Sequence, residues 1–143
     1  MVSNTAWGEM TVSGPTTNVL SFFLDGVDKP VMMNYLPHTG TYTIAYRETP
    51  VIKKTDRCTI PMAIITVHTD DPCTTFLTST AFAECDLECA WDIDSGGLLE
   101  ASKKYQIHIS ASVEEENEGF RHVFEVYSGR VESDYTEDLP EEY

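Results

Sequence analysis

The chain has 143 residues and a mass of 16.0 kDa, one domain's worth for a single hydrophobic core, which weighs against a multidomain enzyme. Hydrophobic residues make up 41%, enough to build that core and to exclude a disordered acidic tail protein. Nine Lys+Arg against 24 Asp+Glu leave a net charge of −15, beyond the magnitude of roughly 2 to 8 that keeps a small domain soluble. Such a charge excludes direct binding of a nucleic-acid backbone or an anionic membrane as the main activity.

Basic partners, a divalent metal and plain solubility stay open. Residues 1–83 carry 7 acids and 5 bases, whereas residues 84–143 carry 17 acids and 4 bases, a net −13. The acidity is regional, which a uniform solubility device does not require. Residues 1–7 hold neither a basic region nor an apolar run, so no secretory signal is expected and the expected location is cytoplasmic. The longest mostly apolar run, residues 61–67, is too short to span a bilayer of about 30 Å. Cys58, Cys73, Cys85 and Cys89 are accordingly expected to be thiols.

Residues 4–12 read as a first strand, closed by Ser13-Gly14-Pro15. Pro15 and Thr16-Thr17-Asn18 suit the start of a helix whose apolar positions are Val19, Leu20, Phe22, Phe23 and Leu24, with Gly26 as its stop. Residues 25–41 have only a weak apolar pattern and are expected to be a long connection. A strand is expected at 42–46, with 51–53 extending or partnering it, and a central strand at 61–68. Residues 74–79 are polar and Thr-rich, a loop or hairpin tip.

The clearest pattern is Ala83-Glu84-Cys85-Asp86-Leu87-Glu88-Cys89-Ala90-Trp91. Odd positions are apolar and 84, 86 and 88 are acidic, which predicts a strand burying Cys85, Leu87, Cys89 and Trp91 and displaying three acids on an open face. Like charges at that spacing repel and are not chosen for sheet stability. Asp94-Ser95 offers a cap for a helix over 97–105, and Lys103-Lys104 complement its C-terminal dipole. Strands at 106–113 and 120–127 flank a charged turn at 114–119. A short last strand at 130–131 is followed by an acidic, loosely held tail from 132 to 143. The order β-α-β-β-β-α-β-β predicts an α+β, ferredoxin-like domain over 1–131, two helices packed on a mostly antiparallel sheet.

Several words in the chain carry a resemblance: Asn4-Thr5-Ala6-Trp7-Gly8-Glu9, then Thr11-Val12-Ser13-Gly14-Pro15 and Val19-Leu20-Ser21-Phe22-Phe23. Ala90-Trp91-Asp92-Ile93-Asp94, Leu98-Leu99-Glu100, Ser102-Lys103-Lys104-Tyr105, Gly119-Phe120 and Arg130-Val131 continue it in order. Together they resemble a family of small phage- and prophage-encoded proteins with a ferredoxin-like domain, over about two thirds of the chain and not between about 25 and 80. The resemblance implies fold and phage origin and supplies no catalytic motif. Small phage accessory proteins include inhibitors of host defence, anti-CRISPR proteins among them, and many of these are strongly acidic.

Chemistry by elimination leads the same way. There is no Gly-x-Ser-x-Gly elbow and no phosphate-cradling glycine loop, and His38, His68, His108 and His122 have no diagnostic spacing. His108 and His122 read as half-buried sheet residues. His68-Thr69-Asp70-Asp71-Pro72-Cys73 superficially resembles a zinc deaminase motif but lacks the Glu and the second Cys that chemistry needs. On one strand Cys85 and Cys89 lie about 13 Å apart, and two thiolates at roughly 2.3 Å from one zinc cannot be so separated. No cofactor is expected to be required, and zinc on Cys58, Cys73, Cys85 or Cys89 is the disfavoured alternative. Asp92-x-Asp94 and Glu114-Glu115-Glu116 lack the glycine-turned ligand loop of a calcium site.

The acids remain. Alternate strand residues are separated by about 6.6 Å, roughly two base steps of a duplex, so a carboxylate ladder can address a phosphate-binding groove lined with Lys and Arg. Protection of a sheet face or edge against aggregation accounts for the same three acids. The expected partner-binding residues are Glu84, Asp86, Glu88, Asp92, Asp94, Glu114, Glu115 and Glu116. The expected function is a non-enzymatic phage inhibitor of a basic, nucleic-acid-handling host defence protein such as a CRISPR effector nuclease. A self-associating structural phage protein and a zinc-stabilised binding module are the alternatives.

Overall fold

A computed structural model describes residues 4–55, 57–70 and 79–140. The elements are β1 (Thr5–Pro15), α1 (Thr16–Ser21, continued by a π-helical turn at Phe22–Gly26), β2 (Pro30–Leu36), β3 (Thr41–Tyr46), β4 (Cys58–Thr59) and β5 (Ile64–Thr69). They continue with β6 (Thr80–Ala90), α2 (Ser95–Tyr105), β7 (His108–Glu115), β8 (Phe120–Tyr127) and β9 (Arg130–Asp138). The strands form one sheet in the order β2-β3-β5-β6-β1-β7-β8-β9, with β4 paired to β6. Each pairing is antiparallel. The protein is therefore α+β, two helices with a mostly β framework; the expected ferredoxin-like topology is not shown.

One face of the sheet is core and the other is open. Ala6, Met10 and Val12 of β1, Ala83, Cys85, Leu87 and Cys89 of β6, Ile109, Ala111 and Val113 of β7, and Phe124 and Val126 of β8 are buried with Val19, Leu20, Phe22 and Phe23 and with Leu98, Ala101 and Tyr105 of α2. Period-two alternation in the strands and the apolar stripes of the helices meet in a single layer contact. Tyr46 anchors the π-helical turn, its buried hydroxyl donating to the Phe23 carbonyl at 2.7 Å. At Gly8, β7 approaches β1 so closely that a Cβ would lie 1.8 Å from the Ser112 carbonyl oxygen.

Four expectations are corrected. Residues 25–41 hold the strand β2, paired with β3 from Pro30↔Tyr46 to Leu36↔Thr41; they lack alternation because β2 is an edge exposed on both faces. Val51 and Ile52 make isolated bridges to Thr59 and Val27 and do not partner β3. Strand β6 ends at Ala90, and Trp91 has φ +73° and is 51% exposed, so it leaves the core row. Its N–H donates to the Asn4 carbonyl at 2.8 Å.

The fourth correction is the tail. Strand β9 runs to Asp138 and pairs with β8 from Tyr127↔Arg130 to Phe120↔Asp138, so the chain from 132 to 138 is sheet. Likewise β7 includes Glu114 and Glu115, and the turn to β8 is shorter than expected. Most of the expected loop at 74–79, and Cys73 with it, lies outside the described residues. No helix among the described residues is long and apolar enough to cross a membrane.

Candidate protein-binding face

The alternation of β6 places Glu84, Asp86 and Glu88 on the open face, opposite the buried Cys85, Leu87 and Cys89. Register with β1 sets Thr11 opposite Glu84, Glu9 opposite Asp86 and Trp7 opposite Glu88. Directly opposed residues of an antiparallel pair have Cβ atoms about 4.5–5.5 Å apart, so Glu9 and Asp86 are like charges at close quarters. Among the described residues no salt bridge includes Glu9, Glu84, Asp86 or Glu88.

The strand β6 is also paired along its far edge. Ala81 and Phe82 pair with β5, and Glu88 and Cys89 pair with β4. Between them the Asp86 N–H meets the Met62 sulfur at 3.2 Å. The acid row is therefore carried by a strand with neighbours on both sides.

Beyond β1 the row of Trp7 continues through Glu114, Arg121 and Glu137. Arg121 donates from Nη2 to Glu114 at 2.5 Å and from Nη1 to Glu137 at 3.1 Å, tying β7, β8 and β9 together. Also on this face, His108 Nε2 lies 2.9 Å from Glu125. A shallow depression of about 520 Å³ opens here, with Trp7, Glu9, Asp86, Arg121, Val123 and Tyr135 on its walls. Trp7 is 55% exposed and Tyr135 is also exposed. Two aromatic rings among carboxylates form a surface suited to Lys and Arg side chains, which pair with the acids and lie over the rings.

The other expected residues do different work. Asp92 accepts from His122 Nδ1 at 2.8 Å on the helix side of the sheet, and Asp134 accepts from Nε2 at 2.7 Å. Both ring nitrogens of His122 face carboxylates, an arrangement that favours a proton on each. Burial opposes that charge, but the hydrogen bonds and charges of Asp134 and Asp92 outweigh it and raise the His122 pKa. Asp94 caps α2, its Oδ1 accepting from the Gly97 N–H at 3.0 Å. Glu115 is only 1% exposed and accepts from the N–H groups of Asn117 and Glu118, so the expectation of a surface-binding Glu115 is corrected. Glu116 is exposed in the β7–β8 turn.

Of the eight expected residues, Glu84, Asp86, Glu88 and Glu114 share the open face. Sequence reasoning missed Glu9, Trp7, Tyr135 and Glu137. Alternation around Met10 and Val12 signals that Trp7 and Glu9 face outward; nothing in one sequence signals that β1 lies beside β6. The cysteines also meet unexpectedly: the buried Cys58 and Cys89 are paired residues of β4 and β6 with sulfurs 2.8 Å apart. Among the described residues no group of three or more His, Cys, Asp or Glu is arranged to hold a metal ion. Comparison with known protein families, with curated proteins and with solved structures found no match.

Proposed function

We propose that the protein is a non-enzymatic, phage-encoded inhibitor that binds a basic, nucleic-acid-handling host defence protein, a CRISPR effector nuclease in the leading reading, and blocks its nucleic-acid channel in the bacterial cytoplasm. The observation that carries this reading is the opposition of Glu9 and Asp86, flanked by Glu84 and Glu88, with none of the four in a salt bridge among the described residues and the nearby Arg121 held by Glu114 and Glu137. A sheet that places like charges face to face sacrifices stability unless a cation from outside arrives. A Lys- and Arg-lined groove is such a source, and the net −15 speeds its encounter in a salt-sensitive way. The resemblance to phage proteins with a ferredoxin-like domain supports the origin, and the ferredoxin-like ancestry of this larger sheet is part of the same proposal.

The test is inhibition of target-DNA cleavage by a panel of CRISPR effector nucleases, at low and high salt. Inhibition of at least one nuclease, weakened by salt and lost in the triple variant E84K, D86K, E88K with its circular dichroism spectrum unchanged, is the expected result. Undiminished inhibition by the triple variant overturns the acid-face mechanism, and no inhibition across the panel overturns the CRISPR reading. The exposed, uncharged edge strand β2 favours a second reading, a self-associating phage accessory protein.

A further inference from the structure

The two edges of the sheet are built in opposite ways. Strand β9 carries Glu132, Asp134, Glu137 and Asp138, charges that repel an incoming strand. Strand β2 carries none, and the whole hairpin from residue 30 to residue 46 contains no Asp, Glu, Lys or Arg in a chain of net charge −15. Its side chains, apart from Asn34, are largely apolar and open on both faces: Met32 is 57% and Met33 42% exposed, with Val31, Tyr35 and Leu36 also exposed. Among the described residues only β3 pairs with it, so every second residue of β2 turns its N–H and C=O outward, unpaired by any described strand.

We propose that β2 is the contact through which a second copy of this chain docks, the two β2 strands pairing antiparallel across a two-fold axis perpendicular to the sheet. That symmetry puts identical residues on the same face, so the pairing centres near Met33, the middle of Pro30–Leu36. Val31 then faces Tyr35 of the other copy and Met32 faces Asn34, extending the sheet and covering apolar surface on both faces.

Charge selects the second copy's edge over any other part of its surface. The acid-bearing strand β6 stands three strands from β2, so the two acid rows end roughly 34 Å apart along the joined sheet at about 4.8 Å per strand. That is several times the Debye length of about 8 Å at physiological salt. The charges that flank the hairpin balance, Asp28 and Glu48 against Lys29 and Arg47, with Lys29 and Glu48 joined in a 2.9 Å salt bridge. Any approach through β6, β9 or the open face instead brings acid against acid.

Sedimentation velocity over a concentration series tests the proposal, with wild type, the double variant M32E and M33E, and E84K as a control. Wild type and E84K forming a dimer while the β2 double variant stays monomeric, with its thermal midpoint close to wild type, is the expected pattern. Hydrogen exchange of the wild-type protein gives a second readout that needs no variant: amides of residues 31–36 gain protection as the dimer fills. A wild type that stays monomeric throughout, a dimer that survives in M32E/M33E, or a dimer lost in E84K overturns it. None of these outcomes depends on the inhibitory activity of the open face.

Discussion

The thiols of Cys58 and Cys89 meet across the pairing of β4 with β6, their sulfurs 2.8 Å apart in a fully buried site. The contact between the two thiols, together with burial, raises the Cys89 pKa; the same contact, aided by the Asp94 N–H and opposed by burial, lowers that of Cys58. Burial first, then the charges of Asp86 and Glu84, pushes Cys85 up to about 12. Reactivity follows the thiolate and its access to reagent. Alkylation of the native protein at neutral pH, read by peptide mass spectrometry, is expected to leave Cys58, Cys85 and Cys89 unmodified until denaturant is added. At raised pH Cys58 is expected to be modified before Cys85; the reverse order refutes the lowering of the Cys58 pKa by its contact with Cys89.

His122 makes stability depend on pH. Its folded pKa is raised above the ordinary value of about 6.5, so the folded chain holds the proton more tightly than the unfolded chain. This stabilisation is complete below the unfolded value and is lost as pH rises through the folded one. Denaturant titrations stepped upward from pH 6 are expected to show unfolding free energy falling, and H122Q is expected to remove the slope. The substitution itself costs on the order of 1 kcal/mol, because Asp92 and Asp134 keep access to water. A wild-type profile that is flat, or that rises with pH, counts against the two-carboxylate clamp.

Legibility in the sequence followed burial. Strand β6 was readable because one face is core and the other is water, which writes period two into residues 83–90. The cap at Asp94 and the helix behind it were readable because capping is local chemistry. The strand β2 was not, since neither face is buried and no alternation is imposed. Strand β9 hid for a related reason: an edge guarded by acids has the composition of a solvated tail. The acid row of the candidate face was visible residue by residue, but its centre, Glu9 against Asp86, depends on pairing strands some 75 positions apart in sequence, a choice made by packing and not by local propensity.

Asp94 separates capping from charge. Removing its side chain in D94A leaves the Gly97 N–H without its partner and is expected to cost about 1 kcal/mol, within the usual range for an N-cap. The isosteric D94N keeps an acceptor oxygen and is expected to hold stability near wild type. Thermal unfolding of the two variants checks this; equal losses mean that the charge, and not the cap, is what the helix uses.

Gly8 is expected to tolerate no side chain. A Cβ would stand 1.8 Å from the Ser112 carbonyl oxygen and 2.8 Å from the Val113 Cα, both backbone atoms of the neighbouring strand. Relief requires β1 and β7 to part, and G8A is expected to cost about 3 kcal/mol or more. Gly119 is the comparison: at φ +72° an added Cβ has nothing within 4 Å, so G119A is expected to cost only about 1 kcal/mol, for the left-handed backbone. Urea midpoints rank the two, and a G8A protein as stable as G119A rules out the close approach of the strands.

The opposition of Glu9 and Asp86 sets stability against binding. Like charges directly across an antiparallel pair are unfavourable, so E9Q or D86N is expected to stabilise the isolated protein by about 0.2–0.5 kcal/mol, the modest scale of exposed charge effects. The gain is expected to shrink as salt is added, since both side chains lie in water. The same substitutions remove a carboxylate from the face proposed to receive Lys and Arg, so they are expected to slow association with a basic nuclease and to flatten its salt dependence. Thermal midpoints at low and high salt, measured beside association rates, read both effects on one protein. A variant that loses stability at low salt refutes the repulsion; one that gains stability and binds as fast as wild type leaves the repulsion standing and removes this pair from the proposed interface.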